Sequence, residues 1–226
     1  MTPTPNRGRL APDAPLGGDP SVGELGAGRL DRPTILLAAL RIIDEEGLGR
    51  MTMRRLATEL GVEAMSIYHH FENKDSILSG VVAVVFATLD VPAVGRDPLA
   101  ALGQLGRSYR SILHQHPNVV PLIAMHSSLT RPEPLGVQEF VSGLTNKLGL
   151  TTEEGALALA TVLTFVLGQV IAELGGDEPA VGAADQDSTG TFDDETFEFG
   201  LAALLTGLAQ SKKHPGGRRR TPRRPR

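Results

Sequence analysis

Cysteine is absent from this 226-residue chain. Its absence removes disulfides and thiolate metal sites, and with them the small stapled modules of secreted proteins. No alternating apolar–polar run competes for a strand anywhere, so sheet folds drop out as well. Apolar runs such as residues 77–89 read as too short or too interrupted to span a bilayer, and no N-terminal apolar segment has the form of a signal peptide. Also missing are a nucleophile with its base, an HExxH zinc helix, a glycine-rich phosphate loop and paired carboxylate helices, which speaks against an enzyme. What remains is a soluble, cytoplasmic, all-α chain whose 41% hydrophobic content is enough to build a core.

The formal net charge of -4 conceals a segregation. Residues 211–226, SKKHPGGRRRTPRRPR, hold eight of the 22 Lys and Arg and no acid, leaving 14 basic against 26 acidic residues elsewhere. A body this acidic does not coat a polyanion along its length; it fits contact with nucleic acid through a small part of its surface. The tail itself has two readings: an arm adding non-specific phosphate attraction, or an overhang without a role.

Taken in order, residues 1–29 are rich in Pro and Gly and read as a disordered leader. A helix capped by Asp31 or Thr34 runs to about Glu46 and stops at Gly47. After the stretch 51–74 comes the apolar run DSILSGVVAVVFATL, with Asp75 favourably placed at its start. Further helices read over about 99–116, 135–148, 151–174 and 193–210, with a short segment from 119. Thr151 and Glu154 have the spacing of a capping box, and residues 175–191 read as a loop. The organisation is therefore a leader (1–29), a headpiece (30–75), a larger helical body (76–210) and a basic tail (211–226).

Residues 51–74, MTMRRLATELGVEAMSIYHHFENK, carry the chemistry. Thr52 is a natural N-cap, and Met53, Leu56, Ala57 and Leu60 form one buried stripe. Gly61 supplies the backbone freedom a tight turn needs. The second helix is short and sets Ser66, Tyr68, His69 and His70 among Met65, Ile67 and Phe71. Core packing explains poorly so many outward hydrogen-bonding groups. A helix-turn-helix whose second helix enters the major groove of DNA explains them.

Residues 30–85 resemble the TetR (tetracycline-repressor) family of transcriptional regulators. The likeness lies in LDRPTILLAALRIIDEEGLGRMTMRRLATELGV, then IYHHF, then NKDSIL. Ala57 and Gly61 stand where the motif needs a small residue and a turn glycine, and Ile67 where it needs a buried aliphatic. More scattered matches across residues 108–210, in HSSLTRPEPL, VLGQVIAEL and FEFGLAALLTGL, look like the tetracycline-repressor branch. The resemblance implies a helix-turn-helix headpiece on a helical ligand-binding and dimerisation domain. It also implies a homodimer on a palindromic double-stranded operator, acting as a repressor until a small-molecule effector lowers its affinity. The dimer would be held by a four-helix bundle of residues 156–171 and 197–208 from each chain.

Carried over by position, Arg54 reads bases, and Ala64, Met65 and Ser66 open the recognition helix. Tyr68 and Lys74 meet phosphate, His69 and His70 face the groove, and Thr52 caps its helix, contacts phosphate, or both. Arg55 is solvated or salt-bridged. Ala64 and Met65 offer only apolar contact, so the operator should differ from one read by polar residues there. The implied effector pocket comprises Leu105, Tyr109, His126, Phe165, Gln169 and Ala172, with Arg110 as a further polar contact. His126 matches the magnesium-ligating histidine of tetracycline repressors in its local context. Leu105, however, replaces an amide and Ala172 a glutamate, so a magnesium–tetracycline complex is not the expected ligand, and no metal or cofactor is expected. His114 and His116 are a poor metal pair and read as marking a helix end before Pro117. The alternative function is a helical dimeric interaction protein that kept the helix-turn-helix shape without reading DNA. Retention of Arg54, Tyr68 and Lys74 argues against it.

Overall fold

Asp31 sets the start of the first helix. Its carboxylate accepts from the Thr34 backbone N–H at 2.9 Å, which fixes it rather than Thr34 as the cap of α1 (Arg32–Glu46). Pro33 sits in the first turn, where no intrahelical donor is lost. The apolar spacing of α1 buries Ile35, Ala38, Ala39, Ile42 and Ile43 on one side. This computed structural model describes residues 30–125, 136–175 and 194–211. The sequence expectations for the leader, the loop after residue 175, the segment HSSLTRPEPL with His126, and the basic tail from residue 212 lie outside those residues.

A short 3-10 turn, Leu48–Arg50, leads into α2 (Met53–Leu60), and α3 (Ala64–Tyr68) follows one turn later. Thr52 caps α2 through its hydroxyl, which accepts from the Arg55 N–H at 3.1 Å. Gly61 adopts φ 65°, a left-handed geometry that a side chain resists, and the Val62 N–H closes the turn on the Ala57 carbonyl at 3.0 Å. α4 (Lys74–Ala87) opens with a reciprocal capping box between Asn73 and Ser76. It lays Ile77, Leu78, Val81, Val82 and Val85 in the core and packs along α1.

α5 (Pro98–Gln115) follows, where the Asp97 carboxylate accepts from the Leu99 and Ala100 N–H groups. A 3-10 turn, Pro117–Val119, and α6 (Val120–Met125) follow, then α7 (Val137–Leu148), α8 (Thr152–Gly175) and α9 (Asp194–Ser211). The expected capping box at α8 is present: Glu154 accepts from the Thr151 N–H at 2.8 Å, and the Thr151 hydroxyl accepts from the Glu154 N–H at 3.2 Å. α5 runs through the centre, packed by α7, α8 and α9, and buries Leu102, Leu105, Tyr109, Ile112 and Leu113. Each such aliphatic side chain contributes roughly 1.5–3 kcal/mol of burial. The described residues hold no strand, so the fold is all-α as the sequence implies.

One sequence reading needs correction. α8 is long and apolar enough, by length and composition, to cross a membrane, contrary to the expectation that every apolar run is too short. Its inner side explains part of that character: Ala158, Leu159, Val162, Val166 and Val170 are buried among the neighbouring helices. The outer side also carries Leu157 and Ile171, which are exposed in the single chain, as is Phe199 on α9 at 76%.

Candidate nucleic-acid interface and effector pocket

The helix-turn-helix is held by its inner residues and leaves its outer ones free. Leu56, Ile67 and Phe71 are buried, and the Ile67 and Phe71 pair, four residues apart, anchors the back of α3. Arg32 at the start of α1 clasps the end of α3: its guanidinium lies 4.0 Å from the centre of the Phe71 ring and donates to the His70 carbonyl. Nothing local in the sequence announces this contact. On the outer side Met65, Tyr68 and His69 are exposed, while Ala64, Ser66 and His70 are half-buried.

α3 ends at Tyr68, so His69 and His70 lie in the turn beyond it rather than on the recognition helix. The backbone continues to fold back there, with the His70 and Phe71 N–H groups both donating to the Ile67 carbonyl. Lys74 occupies the first position of α4, where the helix dipole disfavours a cation. A phosphate placed nearby would reverse that penalty.

The adjacent arginines of α2 divide their roles. Arg55 Nε and Nη2 donate to Glu46 Oε1 at 2.9 and 2.5 Å, and Nη1 donates to Glu59 at 2.8 Å. Glu59 in turn pairs with Arg41 at 2.8 Å. Hydrogen bonding from Arg55 holds the Glu46 carboxyl below its ordinary range, and the same bond, then that to Glu59, raises the Arg55 guanidinium. Arg54 is exposed and forms no ion pair among the described residues. Arg55 therefore braces α1 against α2, and Arg54 is left for an outside partner.

In the body, a row on α8 faces α5 and α9. Phe165, Gln169 and Glu173 recur every fourth residue and so share one face. Phe165 stacks on Phe197 of α9 with ring centres 6.0 Å apart. Glu173 accepts from Arg110 Nη2 at 2.9 Å, and His114 Nε2 lies 2.8 Å from its second oxygen. Arg110 also donates to Asp194 at 2.6 Å and lies over the Phe197 ring at 4.5 Å. Gln169 is buried, and Gln169 Nε2, Arg110 Nε and Glu173 Oε2 make no hydrogen bond among the described residues, the last despite its short approach to His114 Nε2. Tyr109 is buried beside Arg110 and stacks on Phe86 of α4 at 5.7 Å; burial pushes its phenol up to about 12. Leu105, one turn earlier on α5, is fully apolar and buried, and Ala172 is half-buried next to Glu173.

The structure pairs Tyr109 with Phe86, Phe165 with Phe197, and Arg110 with Glu173, Asp194 and Phe197, partners that the sequence did not mark for the pocket. Glu173 Oε1 accepts from Arg110, and its Oε2 lies beside His114. The described residues include no group of three His, Asp or Glu able to hold a metal ion. Separately, a cleft of about 530 Å³ opens between the start of α6 and the end of α8, lined by Asn118, Val120, Met125, Ile171 and Leu174.

α5 ends at Gln115 with His116 as its C-cap, just before Pro117 as the sequence implies, but both histidines also make contacts that the sequence did not announce. His114 pairs with Glu173, and His116 Nδ1 lies 2.9 Å from Asp44 Oδ2 on α1. Asn118 Nδ2 adds a bond to the Asp44 carbonyl at 2.9 Å. These contacts tie the end of α1 in the head to the turn that opens α6 in the body.

Residues 35–81 match the bacterial regulatory proteins of the tetR family, and residues 91–191 match the tetracyclin repressor-like C-terminal domain. An HTH-type transcriptional regulator of Mycobacterium tuberculosis is 30% identical over 226 residues, covering 91% of this chain and 96% of its own. The class A tetracycline repressor protein from transposon 1721, in Escherichia coli, is 29% identical over 204 residues, covering 81% and 93%. Among solved structures, the Streptomyces coelicolor TetR family protein ActR in complex with actinorhodin aligns with a TM-score of 0.70 at 25% identity, over 83% of this chain and 100% of that one.

Proposed function

Because this chain belongs to the tetR family of bacterial regulatory proteins, we propose that it is a dimeric repressor, released from a palindromic operator when a small molecule enters its body. The observation that carries the reading is the division of labour on α2 and α3. Every apolar anchor faces inward, while Arg54, Met65, Tyr68 and His69 face outward without internal partners. Arg54 engages a guanine edge, Lys74 and Tyr68 take phosphates, and the exposed thioether of Met65 meets a thymine methyl. Thr52 accepts from the Arg55 N–H to cap α2 and keeps its own O–H to donate to a phosphate.

One headpiece reads only a few bases. A pair on a two-fold axis reads half-sites about one DNA turn, roughly 34 Å, apart. The exposed Leu157, Ile171 and Phe199 of α8 and α9 supply the apolar face that joins two copies. The same exposed apolar side accounts for the length and composition of α8 without a membrane. Such a regulator works in the cytoplasm, beside the DNA it controls.

Signal passes from body to head along α4 and α1. Phe86, near the end of α4, rests on Tyr109 at the pocket, and the start of α4 bears Lys74 behind the recognition helix. The helix between them is a rod about 18 Å long at 1.5 Å per residue. An effector that displaces Tyr109 tilts that rod and alters the separation of the two headpieces. To move the population from almost all bound-competent to almost all released, it must favour the released form by about 5.5 kcal/mol.

The alternative, an interaction protein that no longer reads DNA, is not favoured, since the relatives are named as transcriptional regulators or repressors. Selection of duplexes from a random oligonucleotide pool by the full chain tests the proposal. Enrichment of an inverted repeat is expected. Folded dimer that enriches no sequence at moderate salt would sink it.

A further inference from the structure

We propose that Arg32 is a positioning residue for operator binding: its guanidinium clamps the turn between α3 and α4 and so sets the pose in which the recognition helix meets DNA. The inference rests on the repressor reading above and adds to it a residue of α1 that itself reads no base.

α3 cannot hold its own pose. It has five residues, and its N-cap residue, Glu63, makes no side-chain cap bond. Helices shorter than about 12–15 residues have little stability of their own. Its inner side is anchored by Ile67 and Phe71, both buried. Apolar burial is non-directional, so these two anchors hold the helix down without fixing how the chain leaves it.

The directional contact comes from α1. The Arg32 guanidinium lies 4.0 Å from the centre of the Phe71 ring, and its Nη1 donates to the His70 carbonyl. A planar fork that covers a ring face and bonds the neighbouring carbonyl fixes distance and direction together, which a lysine ammonium does not. Phe71 is only 2% exposed, so the ring cannot leave the cation without opening the core of the head. As the first residue of α1, Arg32 stands where the helix dipole disfavours a cation, so its charge does nothing for α1 itself.

What the clamp holds bears the proposed DNA contacts. The turn runs from Tyr68, the last residue of α3, to Lys74, the first of α4. At one end the His70 and Phe71 N–H groups donate to the Ile67 carbonyl at 2.9 and 3.0 Å; at the other Asn73 opens α4 with its capping box. Local bonds set both ends of the turn, and Arg32 pins its middle to α1. Without that pin the free head spends part of its time with Tyr68 and Lys74 out of register, and apparent affinity falls with the competent fraction.

Arg32→Ala and Arg32→Lys are compared with the unmodified full-length dimer on the selected operator, by anisotropy between about 50 and 200 mM salt. An exposed cation–π contact corresponds to about three- to fivefold per headpiece, so Arg32→Ala should weaken the dimer's binding about ten- to thirtyfold. The salt slope should not change, whereas losing a phosphate contact would lower it by about 0.9 per headpiece. Arg32→Lys keeps the charge and should recover less than about half of the loss on a logarithmic scale. With 3-fluorotyrosine at Tyr68 and Tyr109, the chain's two tyrosines, the fluorine signal of Tyr68 should shift or broaden in DNA-free Arg32→Ala. The Tyr109 signal and the cooperative melting transition should hold. A reduced salt slope, or full rescue by lysine, overturns the proposal in favour of direct phosphate contact. Weakened binding with an undisturbed Tyr68 signal overturns it too. If the unmodified dimer holds no operator, the repressor reading has failed and the proposal with it; firm binding that ignores Arg32→Ala condemns the proposal alone.

Discussion

Replacing Arg54 and Arg55 one at a time by alanine should produce opposite defects from adjacent positions. Arg54 is exposed and unpaired among the described residues, so its loss should move stability by less than about 0.5 kcal/mol. On the operator it should cost heavily. A bidentate arginine–guanine pair discriminates by about 1–3 kcal/mol, and a dimer gives it up twice, for roughly 2–6 kcal/mol. At 1.4 kcal/mol per tenfold, affinity for the cognate site falls roughly thirty-fold to 10⁴-fold, and mutated operators suffer correspondingly less. Arg55 is the reverse case: its guanidinium joins Glu46 on the end of α1 to Glu59 on α2, so alanine should lower the melting temperature and leave base preference intact. Lys74→Ala supplies the third pattern. Removing one phosphate-binding charge from each headpiece reduces the salt slope by about 0.9 apiece and weakens all sequences alike. Anisotropy titrations on cognate and singly substituted operators, repeated between about 50 and 200 mM salt, resolve the three patterns. If Arg54→Ala weakened every sequence equally, or Arg55→Ala changed base preference with an unchanged melting point, the assignment of roles on α2 would be wrong.

Gly155→Ala should destabilise the body by about 1–3 kcal/mol in denaturant titrations, by overpacking. The new Cβ would fall 2.2 Å from Thr145 Cγ2, and the Thr145 hydroxyl is held by its bond to the Ser142 carbonyl, so that side chain cannot swing aside without breaking it. Phe199→Asp, at a site 76% exposed in one chain, should convert dimer to monomer in sedimentation and abolish tight operator binding without unfolding the monomer's core. On the alkaline side, the folded state keeps the Tyr109 proton that the unfolded chain releases from its ordinary value of 10.0, the buried value being about 12. Stability should therefore fall as pH rises through that window, by about 3 kcal/mol in all, and Tyr109→Phe should flatten the fall.

What can be read from the sequence is mostly what is local. The Thr52 and Thr151 caps, the turn at Gly61 and the buried Ile67 are fixed by residues within four positions of one another, and periodicity exposes them. The proposed pocket is legible only in part. Tyr109 and Gln169 stand out singly, but their setting depends on pairs far apart in sequence, such as Arg110 with Glu173 and Asp194. Pattern within one helix carries no sign of a partner on another. The same blindness shows His114 and His116 only as the helix-end residues they are, and not that each meets a carboxylate on a different helix. His69 and His70 read as part of the recognition helix because residue type does not mark where a five-residue helix stops. Arg32 gives no signal of its own, since its partner Phe71 is brought close only by the folding of the head.

The packing of α1 on α4 governs how operator specificity can be transplanted. Ile35, Ala39, Ile42 and Ile43 lie against a helix whose buried side chains, Ile77 to Val85, come after the proposed headpiece boundary at residue 75. A chimera joined at that boundary would mate a donor α1 with a foreign α4 and forfeit the fit between them. Joining after Ala87 keeps the pair together but moves the seam to Phe86 on Tyr109 and to Asp44 on His116 and Asn118. A hybrid sensor that reads this operator and answers another chemical must therefore bring along those few side chains of α5 and the turn after it. Without them it would bind DNA and ignore its signal.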